Sequence, residues 1–168
     1  MRKFISLAVT VILLLSLFTA CSTDSRDEDV VTQFLTDFYT IDKPDEALKD
    51  LAIIDEKGEP EAYVTLAKDK FLKYFTNDGF FVFLVSPDWM ALYTNAAVHN
   101  YNIEPTKMSV EKVNKDNYKF SLVVTIKDAQ NSLIEEIPQS GAIVLKSGKI
   151  DHFTIDDEKT LIQTGEVN

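Results

Sequence analysis

From Tyr118 to Ile126 the chain alternates strictly. Tyr118, Phe120, Leu122, Val124 and Ile126 interleave with Lys119, Ser121, Val123, Thr125 and Lys127. Successive side chains of a strand point to opposite faces, so this run predicts a strand with one covered and one solvated face. Its flanks extend the pattern. Met108–Val113 reads as a preceding strand, joined through Asn114-Lys115-Asp116-Asn117. Leu133–Lys146 follows, with Pro138 and Gly141 expected to mark a bulge or bend. Ser147-Gly148 reads as a tight hairpin turn and Lys149–Ile155 as the last strand. Four strands joined by short connections predict an antiparallel meander.

The preceding residues read as helices. Ser25-Arg26-Asp27-Glu28 has the spacing of a capping box, and Val30, Val31, Phe34, Leu35 and Phe38 recur at helical spacing. A first helix is expected over about Arg26–Thr40. Lys43-Pro44-Asp45 interrupts it, and Ala47, Leu48, Leu51 and Ala52 suggest a short second helix. A third opens at Pro60 and presents Tyr63, Val64, Ala67, Phe71, Tyr74 and Phe75, with Asn77-Asp78-Gly79 expected to end it. Phe80 to Val85 is a continuous apolar run, which periodicity cannot assign to strand or helix. Ser86-Pro87-Asp88 opens a helix to about His99, with Trp89, Leu92, Tyr93 and Ala96 inward. Helices first and strands after predict an α+β domain, the N-terminal helices packed on one face of a curved four-stranded sheet.

The first twenty residues stand apart. Arg2 and Lys3 precede an apolar run from Phe4 to Phe18, and Thr19-Ala20 lead to Cys21. A basic start, a short apolar stretch and small residues at a cut site make a secretory signal. Phe18-Thr19-Ala20-Cys21 resembles the lipobox of bacterial lipoproteins, with Leu17 one place before the usual leucine. That resemblance implies cleavage before Cys21 and a diacylglycerol on its sulfur. Two acyl chains give stable anchoring where one is marginal. Cys21 is the sole cysteine, so the mature domain has no disulfide.

The expected organisation is a signal peptide over 1–20, a lipidated cysteine and short tether over 21–24, a single domain over 25–158 and a tail over 159–168. Eleven Phe, six Tyr and one Trp supply a packed core. Losing Arg2 and Lys3 takes the formal net charge from −10 to −12. Such a surface repels nucleic-acid phosphates, which excludes that class of partner, and it opposes lying flat on anionic headgroups.

The helix holding Phe34-Leu35-Thr36-Asp37-Phe38-Tyr39, the segment Lys73-Tyr74-Phe75-Thr76-Asn77-Asp78-Gly79-Phe80 and the closing Gly148-Lys149-Ile150-Asp151-His152-Phe153 strand are similar to pieces of the nuclear transport factor two-like, or ketosteroid-isomerase-like, fold. Small Gram-positive lipoproteins carry similar pieces. The resemblance implies a cone, its sheet curling around the helices, with a pocket at the wide end. That fold hosts isomerases, dehydratases and binding modules alike, so it assigns no function.

Chemistry-bearing patterns are sparse. The two histidines, His99 and His152, have no metal spacing, and there is no nucleophile elbow or phosphate loop. No metal and no cofactor is expected. The candidate general bases, from the resemblance, are Asp151 and His152. Strict alternation puts His152 with Ile150 and Thr154, and Asp151 with Phe153 and Ile155. His99 reads as a helix-end residue suited to the dipole. Trp89, Tyr93 and Tyr101 form an aromatic cluster that is either core or the lining of an apolar pocket. Asp156-Asp157-Glu158 reads as a solvated run. The expectation is a membrane-anchored extracytoplasmic lipoprotein with a non-catalytic ligand-binding or protein-interaction domain, its partner a membrane or envelope protein. The alternative is a small isomerase- or dehydratase-type enzyme using a pocket Asp or His.

Overall fold

The structure is a computed structural model and describes residues 21–42 and 61–156. The expected second helix at Ala47–Ala52 and the Pro60 helix start lie outside those residues, as do 1–20 and 157–168. The fold is α+β, with helices preceding an open four-stranded antiparallel meander in the order β1-β2-β3-β4. The strands are β1 Asn102–Lys112, β2 Asn117–Lys127, β3 Leu133–Lys146 and β4 Lys149–Ile155.

Helix α1 spans Cys21–Tyr39. Val31, Phe34, Leu35, Phe38 and Tyr39 recur three, four, seven and eight residues apart and are all buried. The helix already includes Cys21, so the segment expected as a capping box and tether is helical, and Ser25 lies inside the helix instead of capping it. Helix α2, Glu61–Phe71, runs into a 3₁₀ turn at Leu72–Tyr74. It buries Tyr63, Ala67 and Phe71 along one stripe.

Asn77-Asp78-Gly79 does not end a helix; it begins one. Thr76 is extended and its hydroxyl accepts the Gly79 amide at 3.0 Å, a threonine N-cap for helix α3, Asn77–Val85. The ambiguous apolar run is therefore helical. Helix α4, Pro87–His99, carries proline in its first turn, as expected. It closes on Asn100 in the left-handed region. The Asn100 amide donates to Ala97 and the Tyr101 amide to Ala96, the two bonds of a Schellman motif.

In the sheet, Ser147 and Gly148 both have positive φ, the two-residue turn that matches strand twist. β1 begins at Asn102, six residues before the expected Met108. Pro138 and Gly141 mark no bulge, since the β2–β3 register runs unbroken from Asn117↔Val144 to Ile126↔Glu135. The irregularities lie elsewhere: between Thr106 and Ser109 in β1, after Ile126 in the β2–β3 pairing, and on β4, where Leu145 pairs with Ile150 but Val144 with His152. Asp151 is the extra residue of that last bulge.

The helices cover the face carrying Tyr118, Phe120, Leu122, Val124 and Ile126, all buried, as the alternation predicts. An aromatic cluster fills the space between the layers. Phe34 meets Phe75 and Phe153 edge-on at 5.2 and 5.0 Å between centroids. Phe83 stacks on Trp89 at 5.8 Å. Such pairs each add about 0.5–1.5 kcal/mol beyond the area they bury.

Candidate functional site

Two of the three segments expected to carry the fold resemblance, Lys73–Phe80 and Gly148–Phe153, meet in space. Phe75 forms a parallel bridge with Ile150, and the Thr76 amide donates to the Ile150 carbonyl at 2.8 Å. The Thr76 hydroxyl, which caps α3, also donates to Asp151 Oδ1 at 2.8 Å. Gly79 completes the junction. A Cβ there would stand 2.6 Å from the Ile150 carbonyl oxygen and 2.7 Å from that of Asp151, closer than real contacts allow. Only glycine lets the first turn of α3 lie against β4.

This junction decides the roles of the candidate bases. Because Asp151 is the extra residue of a bulge, the alternation shifts across it. Ile150 points inward together with Phe153 and Ile155, while His152 lies exposed with Thr154. The expected grouping of His152 with Ile150 is thereby corrected. Asp151, half-buried, ties the α3 cap to β4. His152 lines a shallow groove of about 60 Å³ between α3 and β4, whose other walls include Val82, Phe83, Trp89 and Ile155. Small-molecule pockets are commonly several hundred Å³, so this groove does not enclose such a ligand.

The expected aromatic cluster is divided. Trp89 and Tyr93 are 1% exposed and in ring contact at 6.2 Å. Tyr101 instead stacks on His99 at 5.2 Å. Trp89 reaches the floor of the groove, and its indole N–H donates to the Leu84 carbonyl at 3.4 Å. The Tyr93 hydroxyl bridges the carbonyls of Asp37 and Phe38, 3.2 Å from each. Those carbonyls belong to the last turn of α1, which has no intrahelical donor for them. Tyr93 is thus a side-chain cap for α1.

Two features escaped the sequence reading. The first is the outer face of α3, where Phe81 is 66%, Val82 50% and Val85 63% exposed. Six consecutive apolar residues on a helix cannot all face inward, so the exposure follows once the run is known to be helical. The second is a polar cluster around Asp37. Its carboxylate accepts from the Tyr74 hydroxyl at 2.5 Å and from Lys73 Nζ at 3.0 Å. Burial raises its pKa, but these two hydrogen bonds and the Lys73 charge outweigh burial and hold it below the ordinary carboxylate value. Burial raises the Tyr93 hydroxyl and, through the opposite effect on a cation, lowers Lys70, whose ammonium lies 5.0 Å from the Tyr93 ring centroid. The cluster joins α1 to the end of α2, and no short motif announces it.

β4 is an edge strand. The Asp156 amide donates to the Ser140 carbonyl. In an alternating antiparallel ladder Thr154 and His152 then also face β3, and Phe153 and Ile155 turn their N–H and C=O outward, toward the groove. Among the described residues, no three or more His, Cys, Asp or Glu side chains group to hold a metal ion, and no helix is long and apolar enough to cross a membrane. The chain matches no protein-family model, and comparison with curated proteins and with solved structures returns no match.

Proposed function

We propose that this chain is an extracytoplasmic lipoprotein, anchored through Cys21, whose domain is a non-catalytic protein-interaction module. A single observation carries the reading. The outward backbone of Phe153 and Ile155 lies across the groove from Val82 of α3, which is 50% exposed. An unpaired edge next to an apolar helix face suits an extended segment of a partner, which adds as a strand and places alternate side chains against the helix. The partner is a membrane or envelope protein, since the anchor confines both to one surface. The cone-like curvature of the nuclear transport factor two-like fold belongs to the same proposal and is supported by the three pairing irregularities, which bend strands.

A photo-crosslinker at Val82 tests this in native membranes, with one at exposed Val98 on α4 as the control. A defined adduct at position 82, absent at 98 and lost in a Thr154→Lys background that guards the edge, supports the module. Equal labelling at both positions refutes it. Intact mass of the native N-terminal peptide tests the anchor, and an unmodified chain starting elsewhere refutes that part.

One observation favours the enzyme alternative: His152 lines the groove. The double variant His99→Ala with His152→Ala separates the readings. An unchanged phenotype supports the module, and a folded variant with a null phenotype moves the assignment to an isomerase- or dehydratase-type enzyme.

A further inference from the structure

The groove between α3 and β4 has an apolar floor and an acidic rim. Val82, Phe83, Trp89, Phe153 and Ile155 line it, and among the described residues that do so His152 is the one basic side chain. The stretch Asn77–His99, which holds α3 and α4, contains Asp78 and Asp88 and no lysine or arginine. From Ile150 to Asp156 the chain brings Asp151 and Asp156, again with no lysine or arginine. The β3 residues paired with β4 there, Gly141–Leu145, are uncharged. Lys149, at the start of β4, donates to the Lys73 carbonyl.

The acids stand at the two ends of the groove. Gly79, one of its lining residues, packs on the backbone of Ile150 and Asp151, which brings exposed Asp78 and half-buried Asp151 to that end. Exposed Asp156 follows Ile155 at the other. Asp151 accepts the Thr76 hydroxyl and Asp156 the Ser140 hydroxyl, neutral donors that leave both charges in place. None of the three acids is in an ion pair among the described residues. Asp151 and Asp156 lie five residues apart, about 16–17 Å along a strand.

We propose that the segment received at this edge is basic: an extended stretch with one short aliphatic side chain in the groove and a lysine or arginine two or three residues to either side. This deepens the interaction-module reading above and rests on it. The outward N–H and C=O groups of Phe153 and Ile155 hold the backbone of the segment. The groove, at about 60 Å³, has roughly the volume of two waters, which admits a valine-sized group and no ring. The rim acids meet the flanking cations, and like charge turns acidic segments away.

Trp89 is the sole tryptophan and lies at the groove floor, so its emission reports occupancy. The test titrates the full-length protein, extracted in detergent from native membranes, with end-capped Lys-Thr-Thr-Val-Thr-Thr-Lys and with its Glu-for-Lys counterpart. The lysine peptide should change the emission saturably and bind about tenfold or more tightly than the glutamate peptide, since each exposed charge contact is worth about two- to fivefold and repulsion adds to the difference. Asp156→Asn, which keeps an acceptor for Ser140, should weaken the lysine peptide by about two- to fivefold. Asp78→Lys with Asp156→Lys should turn the preference toward glutamate. Equal affinities for the two peptides, or no binding of the lysine peptide, overturns the proposal. Self-association of the chain that Thr154→Lys blocks also overturns it, because the occupant is then a second copy. A Val82 crosslink in native membranes whose partner segment proves acidic or uncharged overturns it and leaves the module standing, whereas equal crosslinking at Val82 and Val98 refutes the module itself.

Discussion

The two edges of the sheet are treated in opposite ways. At β1 the chain seals the edge with its own backbone: the Ile41 amide donates to the Ile103 carbonyl at 2.9 Å, and the Ile103 amide returns the bond at 2.8 Å. Pro105 then removes a donor, and Lys107, at φ 51°, bulges the strand and places a charge on it. These are the usual defences against unwanted strand pairing. At β4 the seal stops early. Phe75 and Thr76 engage Ile150, the Asp151 bulge follows, and beyond it the backbone N–H and C=O groups of Phe153 and Ile155 turn outward beside Val82 and Phe83 of α3. Among the described residues, one edge is guarded by several means and the other is left open beside an apolar helix, the asymmetry on which the proposed module rests. Between the two edges, Asp37 on α1 holds Lys73 and Tyr74, the residues that lead into the Phe75–Ile150 bridge.

The comparison breaks most forcefully at Gly79. Gly79→Val drives a side chain into backbone oxygens that cannot move aside, so it should cost about 3 kcal/mol or more in urea melts and detach α3 from β4. A loss below about 1 kcal/mol would mean that the junction yields easily and that the open edge is not built around it.

On the sealed side, Tyr93→Phe removes the hydroxyl that caps the last turn of α1. A loss of about 1 kcal/mol is expected. Unchanged stability would show that the α1 terminus finds another donor, and that the seal at Ile41 does not depend on it.

Acid should loosen the contact between α1 and the end of α2. The Asp37 pKa is depressed in the folded state, so its contribution is fully present above the unfolded value near 3.8 and is lost as pH falls through the lower folded value. Asp37→Asn should therefore be less stable than wild type at neutral pH, by no more than about 1 kcal/mol for a partly exposed pair. The difference should vanish below the folded pKa. A difference that persists in strong acid would place the effect in packing instead of charge.

The smallest effect is expected at Lys107. Glycine relieves the left-handed backbone but adds freedom to the unfolded chain, so Lys107→Gly should change stability by less than about 0.5 kcal/mol. A larger loss would show that the side chain, through its 3.9 Å contact with Glu136, sustains the bulge that guards β1.

The sequence by itself determined what local periodicity can express. The alternation over Tyr118–Ile126 identified the covered face of β2, and the spacing of Val31, Phe34, Leu35 and Phe38 identified that of α1, because a side chain's direction follows from its place in a regular element. Ser147-Gly148 and Ser86-Pro87 announced a turn and a helix start through backbone preferences of one or two residues. Phe80–Val85 carried no period, so its helix emerged only where Thr76 caps it and Gly79 meets β4. Asp151 and His152 were legible as ionisable residues on a strand, yet which way each points depended on a bulge, and a bulge is a property of two paired strands. The open edge, the cap that Tyr93 provides for α1 and the groove between α3 and β4 were likewise decided by tertiary structure. Each joins residues far apart in the chain, and local pattern holds no information about which distant segments will share a surface.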